Sequence, residues 1–285
     1  MFFQKKIITP IILIIAFISC NDIQAYDHSR GHSIVCAREC QEALNRLRQI
    51  DEIQELVNRV LQEGGIRIVS RSTRSPSFRG MWNGGGRVIT INPLYCRTLG
   101  DQITTILMEL HNASTNKELS GIFRMAAAGR LTIDQFVEQI ERMEHKNGLS
   151  TCRLLEKGHR MGIFPNYNWR IYENFDDYYM LQQVLGHSLW IAGTYKSAAP
   201  RSGQAYRGTV PNIHRLSKQD RDDLCRYLEM KTGMDHPDRL VREEAQKRLS
   251  RELHTIRSGG SKSWNASNRL RTKTQFIEQI FKIQV

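Results

Sequence analysis

With 285 residues the chain is long enough to bury a core of its own, as one large domain or two small ones, so its six cysteines are optional staples. Its formal net charge of +12 favours anionic partners, yet no arginine–aromatic array marks a nucleic-acid binder. No fixed-period repeat is visible, which excludes a solenoid, and past the first 25 residues no apolar run could span a bilayer.

Residues 1–25 read as a secretory signal, because Lys5 and Lys6 precede a short apolar run over 7–18. Two processing sites compete. Ile23-Gln24-Ala25 ends in the small residue that ordinary signal peptidase takes, while Phe17-Ile18-Ser19-Cys20 resembles a lipobox, which would anchor the chain as a lipoprotein through Cys20. Either route leaves Cys36, Cys40, Cys96, Cys152 and Cys225, and outside the cytoplasm up to two disulfides and one leftover thiol are expected, with the pairing open.

Apolar residues at three- and four-residue steps from Cys40 to Leu61 predict one long helix, stopped by Gly64-Gly65. Two β-branched runs follow, Ile66 to Val69 and Arg87 to Ile91, with an Arg/Ser/Gly-rich separator that reads as a surface loop. A second helix is predicted over 100–112, with Ile103, Ile106, Leu107 and Leu110 on one face. Thr132 caps another from Ile133 to about Lys146, and an apolar, aromatic helix is expected over 172–195. Ser217 starts a helix to about Lys231, a charged one covers 238–256, and a short amphipathic segment around Phe276, Ile277 and Ile280 closes the chain.

These elements give an α+β protein, mainly α-helical with a small β-sheet in the N-terminal half. The expected organisation is a leader over 1–25, an α+β domain over 26–146 and a helical region over 147–285.

The segment richest in chemistry is Val88-Ile89-Thr90-Ile91-Asn92-Pro93 followed by Ile106-Leu107-Met108-Glu109-Leu110-His111-Asn112-Ala113. Strand, connection, apolar helix and glutamate stand in the order of the metallopeptidase half-site, so the stretch 87–116 resembles a zincin. In that family two imidazoles one helical turn apart hold a zinc ion, and the glutamate between them handles the proton of its bound water. Aligned on Glu109, however, the two histidine positions hold Met108 and Asn112. A thioether suits soft copper(I) and a carboxamide is a feeble zinc ligand, so the resemblance implies the scaffold without zinc proteolysis by the usual route. His111 cannot stand in for Asn112, since one helical position is a turn of about 100°.

Glu109 and His111 remain the candidate catalytic residues. Glu141 and His145, four apart on the helix after Thr132, could join them as mixed carboxylate–imidazole metal ligands, although the exposed residues around them favour a solvated helix face over 138–146. His28 and His32 read as linker near the mature N-terminus. Three functional readings follow: an exported protein with a degenerate zincin-like site and no resident cofactor, a secreted or surface-anchored basic protein for an anionic envelope polymer or membrane surface, contacted through 257–273, and an envelope or effector hydrolase that uses Glu109.

Overall fold

The computed structural model describes residues 32–72, 78–167, 171–200, 202–210, 217–234, 239–258 and 264–281. The predicted leader, its two processing sites and His28 lie outside the described residues. Helices dominate, with one small sheet in the N-terminal half, as the patterning required. None of the described helices is long and apolar enough to cross a membrane.

The chain forms two compact units, one comprising Met1–Ile171 with Trp190–Gln204 and the other Tyr172–Leu189 with Ala205–Val285. This departs from the expected division at 146/147. Helix α5 (Ile133–Arg160) runs unbroken through that point, because Gly148 leaves room for the Ile171 side chain and the apolar periodicity resumes at Thr151 and Leu155.

Unit 1 holds a four-stranded sheet in the order β1-β2-β4-β3, built from β1 (Ile34–Cys36), β2 (Ile66–Ser70), β3 (Gly80–Asn83) and β4 (Val88–Ile91). Strands β1, β2 and β4 run parallel, and β3 is antiparallel to β4 with Trp82 opposite Ile89. The two runs legible in the sequence are thus the central strands. Ile66, Ile68, Ile89 and Ile91 alternate into the core, as a pleated strand with one covered face demands. The edges escaped notice because β1 is only three residues long and β3, Gly80-Met81-Trp82-Asn83, has no β-branched residue.

The single long helix expected after Cys40 is two, α1 (Gln41–Leu47) and α2 (Asp51–Gln62), because Ile50 takes an extended conformation between them. Gly64, at φ +120°, then turns the chain into β2. Arg87 is the one non-glycine described residue with positive φ; its guanidinium donates to the carbonyls of Val60, Gly64 and Gly65, so the strain at this residue is offset by satisfying the open end of α2.

Helix α3 (Leu99–Ser114) begins at a reciprocal cap between Thr98 and Asp101 and lays Ile103, Ile106, Leu107 and Leu110 into the core with α1, α2 and the sheet. Helix α4 (Asn116–Ala127), which sequence reading missed, and α5 pack on it in turn, α5 starting at a second reciprocal cap between Thr132 and Gln135. Helix α6 (Phe175–Leu185), in unit 2, is ended by Gly186 at φ +86°, and α7 (His187–Ala198), most of which belongs to unit 1, follows, so the one helix expected over 172–195 is two. Helices α8 (Lys218–Met234), α9 (Arg239–Ser258) and α10 (Trp264–Phe281) gather Leu224, Tyr227, Leu228, Phe276, Ile277 and Ile280 into the second core.

Candidate functional site

One turn of α3 decides what Glu109 can do. Thr105 and Glu109 both face β3, and the fit is so close that a Cβ on Gly80 would meet Thr105 Cγ2 at 2.3 Å and Glu109 Oε1 at 2.9 Å. Only glycine lets the strand pass there. The carboxyl is fully buried. Its Oε2 accepts a hydrogen bond from Asn112 Nδ2 at 3.1 Å, the backbone N–H of Trp82 supports it as well, and Oε1 finds no hydrogen-bond partner among the described residues. Burial pushes the carboxyl up to about 8, against the smaller opposing pull of Asn112 and Trp82. At neutral pH it is therefore mostly a neutral acid.

The two positions that would carry zinc-binding imidazoles are committed elsewhere. Met108 Sδ accepts from Thr151 Oγ1 at 3.5 Å. Asn112 bridges, giving its Nδ2 to Glu109 while its Oδ1 accepts from Asn147 Nδ2 at 3.0 Å; Asn147 Nδ2 also reaches Thr115 Oγ1 at 3.0 Å. Both residues thus fasten α3 to α5. At the far end, Trp82 Nε1 donates to Asn116 Oδ1 at 3.2 Å and fixes β3 to the start of α4.

His111 does not join this arrangement. Two residues further along, it leaves the helix about 200° away from Glu109 and lies on the side of α2, where burial, and then the positive charge of Arg59, push its pKa down to about 4. Its Nε2 is buried without a hydrogen-bond partner among the described residues.

On α5 the expected solvated face is a correction. Arg142 is exposed and pairs with the half-exposed Glu138 at 2.7 Å, but Glu141, Glu144 and His145 are buried. Glu141 and Glu144, three apart, bring carboxylate oxygens within 4.8 Å of one another, whereas the sequence had paired Glu141 with His145. Among the described residues, no three ligand-type side chains drawn from unit 1 alone come within that distance. Glu109, His111, Glu141 and His145 therefore do not make one centre.

No family model, curated protein or solved structure matches the chain. The reading of the site accordingly rests on its own geometry.

The thiols and the basic stretch complete the inventory. Among the described residues Cys36, Cys40, Cys96 and Cys225 are free thiols and none of the expected disulfides is present; Cys40 and Cys96 lie in the core of unit 1 with Cys36 and Cys152 packed against it. Burial raises the Cys36 thiol to about 12 and Cys40 to about 11, which leaves both protonated and unreactive. In unit 2 several cations are engaged by neighbouring carboxylates. Lys273 binds Glu252 at 2.9 Å and Asp223 at 3.6 Å, Arg226 binds Asp223 at 2.9 Å, and Lys231 binds Asp177 at 2.6 Å. Within the basic stretch 257–273, residues 259–263 lie outside the described residues.

Sequence reading missed Gly80, Trp82, Asn147 and Thr151 as partners of Glu109 and its neighbours. Only Asn147 carried a signal, as an amide on the buried stripe of an amphipathic helix, where a polar group needs a partner.

Proposed function

We propose that the chain is an exported protein that keeps the strand–helix–glutamate core of a zincin-like half-site as a structural device and performs no zinc proteolysis. The observation that carries this reading is the engagement of both would-be ligand positions: Met108 with Thr151, and Asn112 with Glu109 and Asn147. To bind zinc in the family manner the helix would need two imidazoles free of such bonds, plus a carboxylate that meets water. Glu109 instead sits under Gly80, sealed and mostly protonated at neutral pH. As a neutral acid it neither polarises a water nor balances a dication, so its role is to tie β3, α3 and α5 together.

The test uses the purified chain lacking only its first 25 residues. Titration with zinc followed by metal analysis, and incubation with casein, should give no stoichiometric ion and no cleavage. One bound zinc per chain, lost in Glu109→Gln together with a casein-cleaving activity, would overturn the reading in favour of a hydrolase built on Glu109.

A further inference from the structure

Three features of the Glu109 surroundings combine into a device that the structural role alone does not require. The carboxyl is fully buried and its Oε1, lying against Gly80, has no hydrogen-bond partner among the described residues. No charged side chain contributes to its electrostatics. The element directly over it, β3, is a four-residue edge strand held to the sheet through β4 alone. We propose that β3 is a pH-released strap: ionisation of Glu109 drives β3 away from α3, hydrating the carboxylate and exposing the free edge of β4.

The direction follows from what can and cannot answer a negative charge at that point. From α5 the groups facing this stretch of α3 are the neutral Asn147 and Thr151. From β3 it is the Trp82 backbone N–H, and from α3 itself Asn112, already bonded. Ahead of α3, Cys96 feels Glu109, but its thiol is itself raised by burial and is engaged with Thr105 Oγ1 at 3.2 Å. Arg79 and Asp101 neutralise each other, Lys117 and Arg87 share Glu63, and on the side of α2 Arg59 faces His111. A carboxylate formed here has no cation to turn to, and water is the remaining solvent for it. Within the sheet β3 is the cheapest strand to move, since it pairs with β4 alone while β2 and β4 each pair on both sides, and its release also frees Trp82 from the core and from Asn116.

The opened form is the one in which Glu109 ionises as an ordinary carboxylate near 4.5, while the closed form holds its proton to about 8. Opening should therefore grow tenfold for each pH unit between those values and level off above about 8. Hydrogen exchange of the full mature chain, corrected for the intrinsic pH dependence of exchange, reads this directly. Protection of the Met81, Trp82 and Asn83 amides should fall about tenfold from pH 6.5 to 7.5 and flatten beyond 8, while amides of β2 and α3 hold theirs. Glu109→Gln should abolish the trend at β3. A slope that persists in Glu109→Gln, or β2 and α3 amides falling in parallel with β3, overturns the proposal. Should that variant fail to fold, the wild-type curve still decides: β3 protection that is flat between 6.5 and 7.5 also overturns it.

Discussion

The two units bury carboxylates by opposite means. In unit 1, Glu109 is answered by amides: Asn112, backed by Asn147, and the main chain of Trp82. In unit 2, Asp223 and Glu252 are answered by cations, with Lys273 and Arg226 touching both and Tyr227 Oη donating to Glu252 at 2.8 Å. Burial acts on both Glu109 and Glu252 in the same sense, raising the pKa. For Glu109 it wins, whereas for Glu252 the hydrogen bonds from Lys273 and Tyr227 and the charges of Lys273 and Arg226 more than offset it and leave the group below the ordinary value. An amide neighbour is indifferent to the proton; a cation is not. So the first arrangement stores a neutral acid and the second a salt-bridged anion, and the two units must answer pH and mutation differently.

The largest effect should come from removing the cation that unit 2 relies on. Lys273→Met removes the cation that touches both Asp223 and Glu252, leaving Arg226 beside the bonds from Gln219 and Tyr227, and taking one partner from a buried ion pair costs roughly 3–5 kcal/mol. The opening free energy of α8, read from hydrogen exchange under mild denaturant, should drop by that order; a change below about 1 kcal/mol would mean that Arg226 alone suffices and that the comparison with unit 1 is weaker than the distances imply. The same variant should leave the amides of β2 and α3 untouched.

Next in size is the pH response, where the signs are opposite. Glu252 has a depressed pKa in the fold, so its contribution is present above the unfolded value of 4.5 and is lost as pH falls below it. Glu109 has a raised one: the fold holds a proton that the unfolded chain has released, so stability falls as pH rises from 4.5 and the loss is complete at about 8. His111 complicates the acid half of that window. Its pKa drops from 6.5 to about 4 on folding, so its protonation opposes folding and stability rises with pH across that interval. The two slopes, each about 1.4 kcal/mol per pH unit, cancel between 4.5 and 6.5. Only from 6.5 to 8 does Glu109 act unopposed, and the stability of unit 1 should fall by roughly 2 kcal/mol there. Denaturation midpoints measured at half-unit steps should show this fall in the native chain and not in Glu109→Gln, while His111→Leu should extend it down to about 4.5. A native profile that is flat from 6.5 to 8 would remove the contrast between the units.

How much of this was written in the sequence varies with the kind of signal. The central strands and the caps at Thr98, Thr132 and Ser217 rest on local chemistry, and of these the strands and the Thr132 and Ser217 starts were read from residue type alone. The break at Ile50 was invisible, because the apolar stripe continues across it with no glycine or proline to mark the turn. Strand β3 was hidden for a different reason: Gly80-Met81-Trp82-Asn83 is chosen for closeness to α3 and for the Trp82–Asn116 bond, and those contacts span up to 34 residues. The strand–helix–glutamate order was legible in chain order. That Glu109 and His111 face different neighbours followed from helix geometry, yet which neighbours these are, an edge strand for one and Arg59 for the other, depends on tertiary packing that no spacing encodes. Glu141, Glu144 and His145 were misjudged because charged neighbours such as Glu138 and Arg142 mark a solvated face, while the burial of these three depends on tertiary packing that the residue types do not reveal.

The smallest effect sharpens the comparison at its most polarised point, the sulfur of Met108. Thr151 Oγ1 donates to that sulfur in a fully enclosed place, and both residues are nearly inaccessible. Met108→Leu conserves volume and hydrophobicity, so repacking should cost under about 1.5 kcal/mol. The hydroxyl of Thr151 can redirect its proton to a main-chain carbonyl of its own helix, as threonines within helices do, which brings the net loss to about 1 kcal/mol. Asn112→Leu is the informative counterpart, since it too places a leucine of similar size at the α3–α5 contact but removes the donor to Glu109 Oε2 and the acceptor for Asn147 together. If the bonds of α3 to α5 serve the buried acid and not merely helix packing, the two variants should separate, with Asn112→Leu the more damaging and its loss growing with pH only above about 8, where the native carboxyl ionises and the variant's, lacking its amide donor, still holds the proton, while that of Met108→Leu stays constant. Equal losses at every pH would mean that Glu109 draws nothing from its amide neighbour, and unit 1 would then bury its acid by enclosure alone.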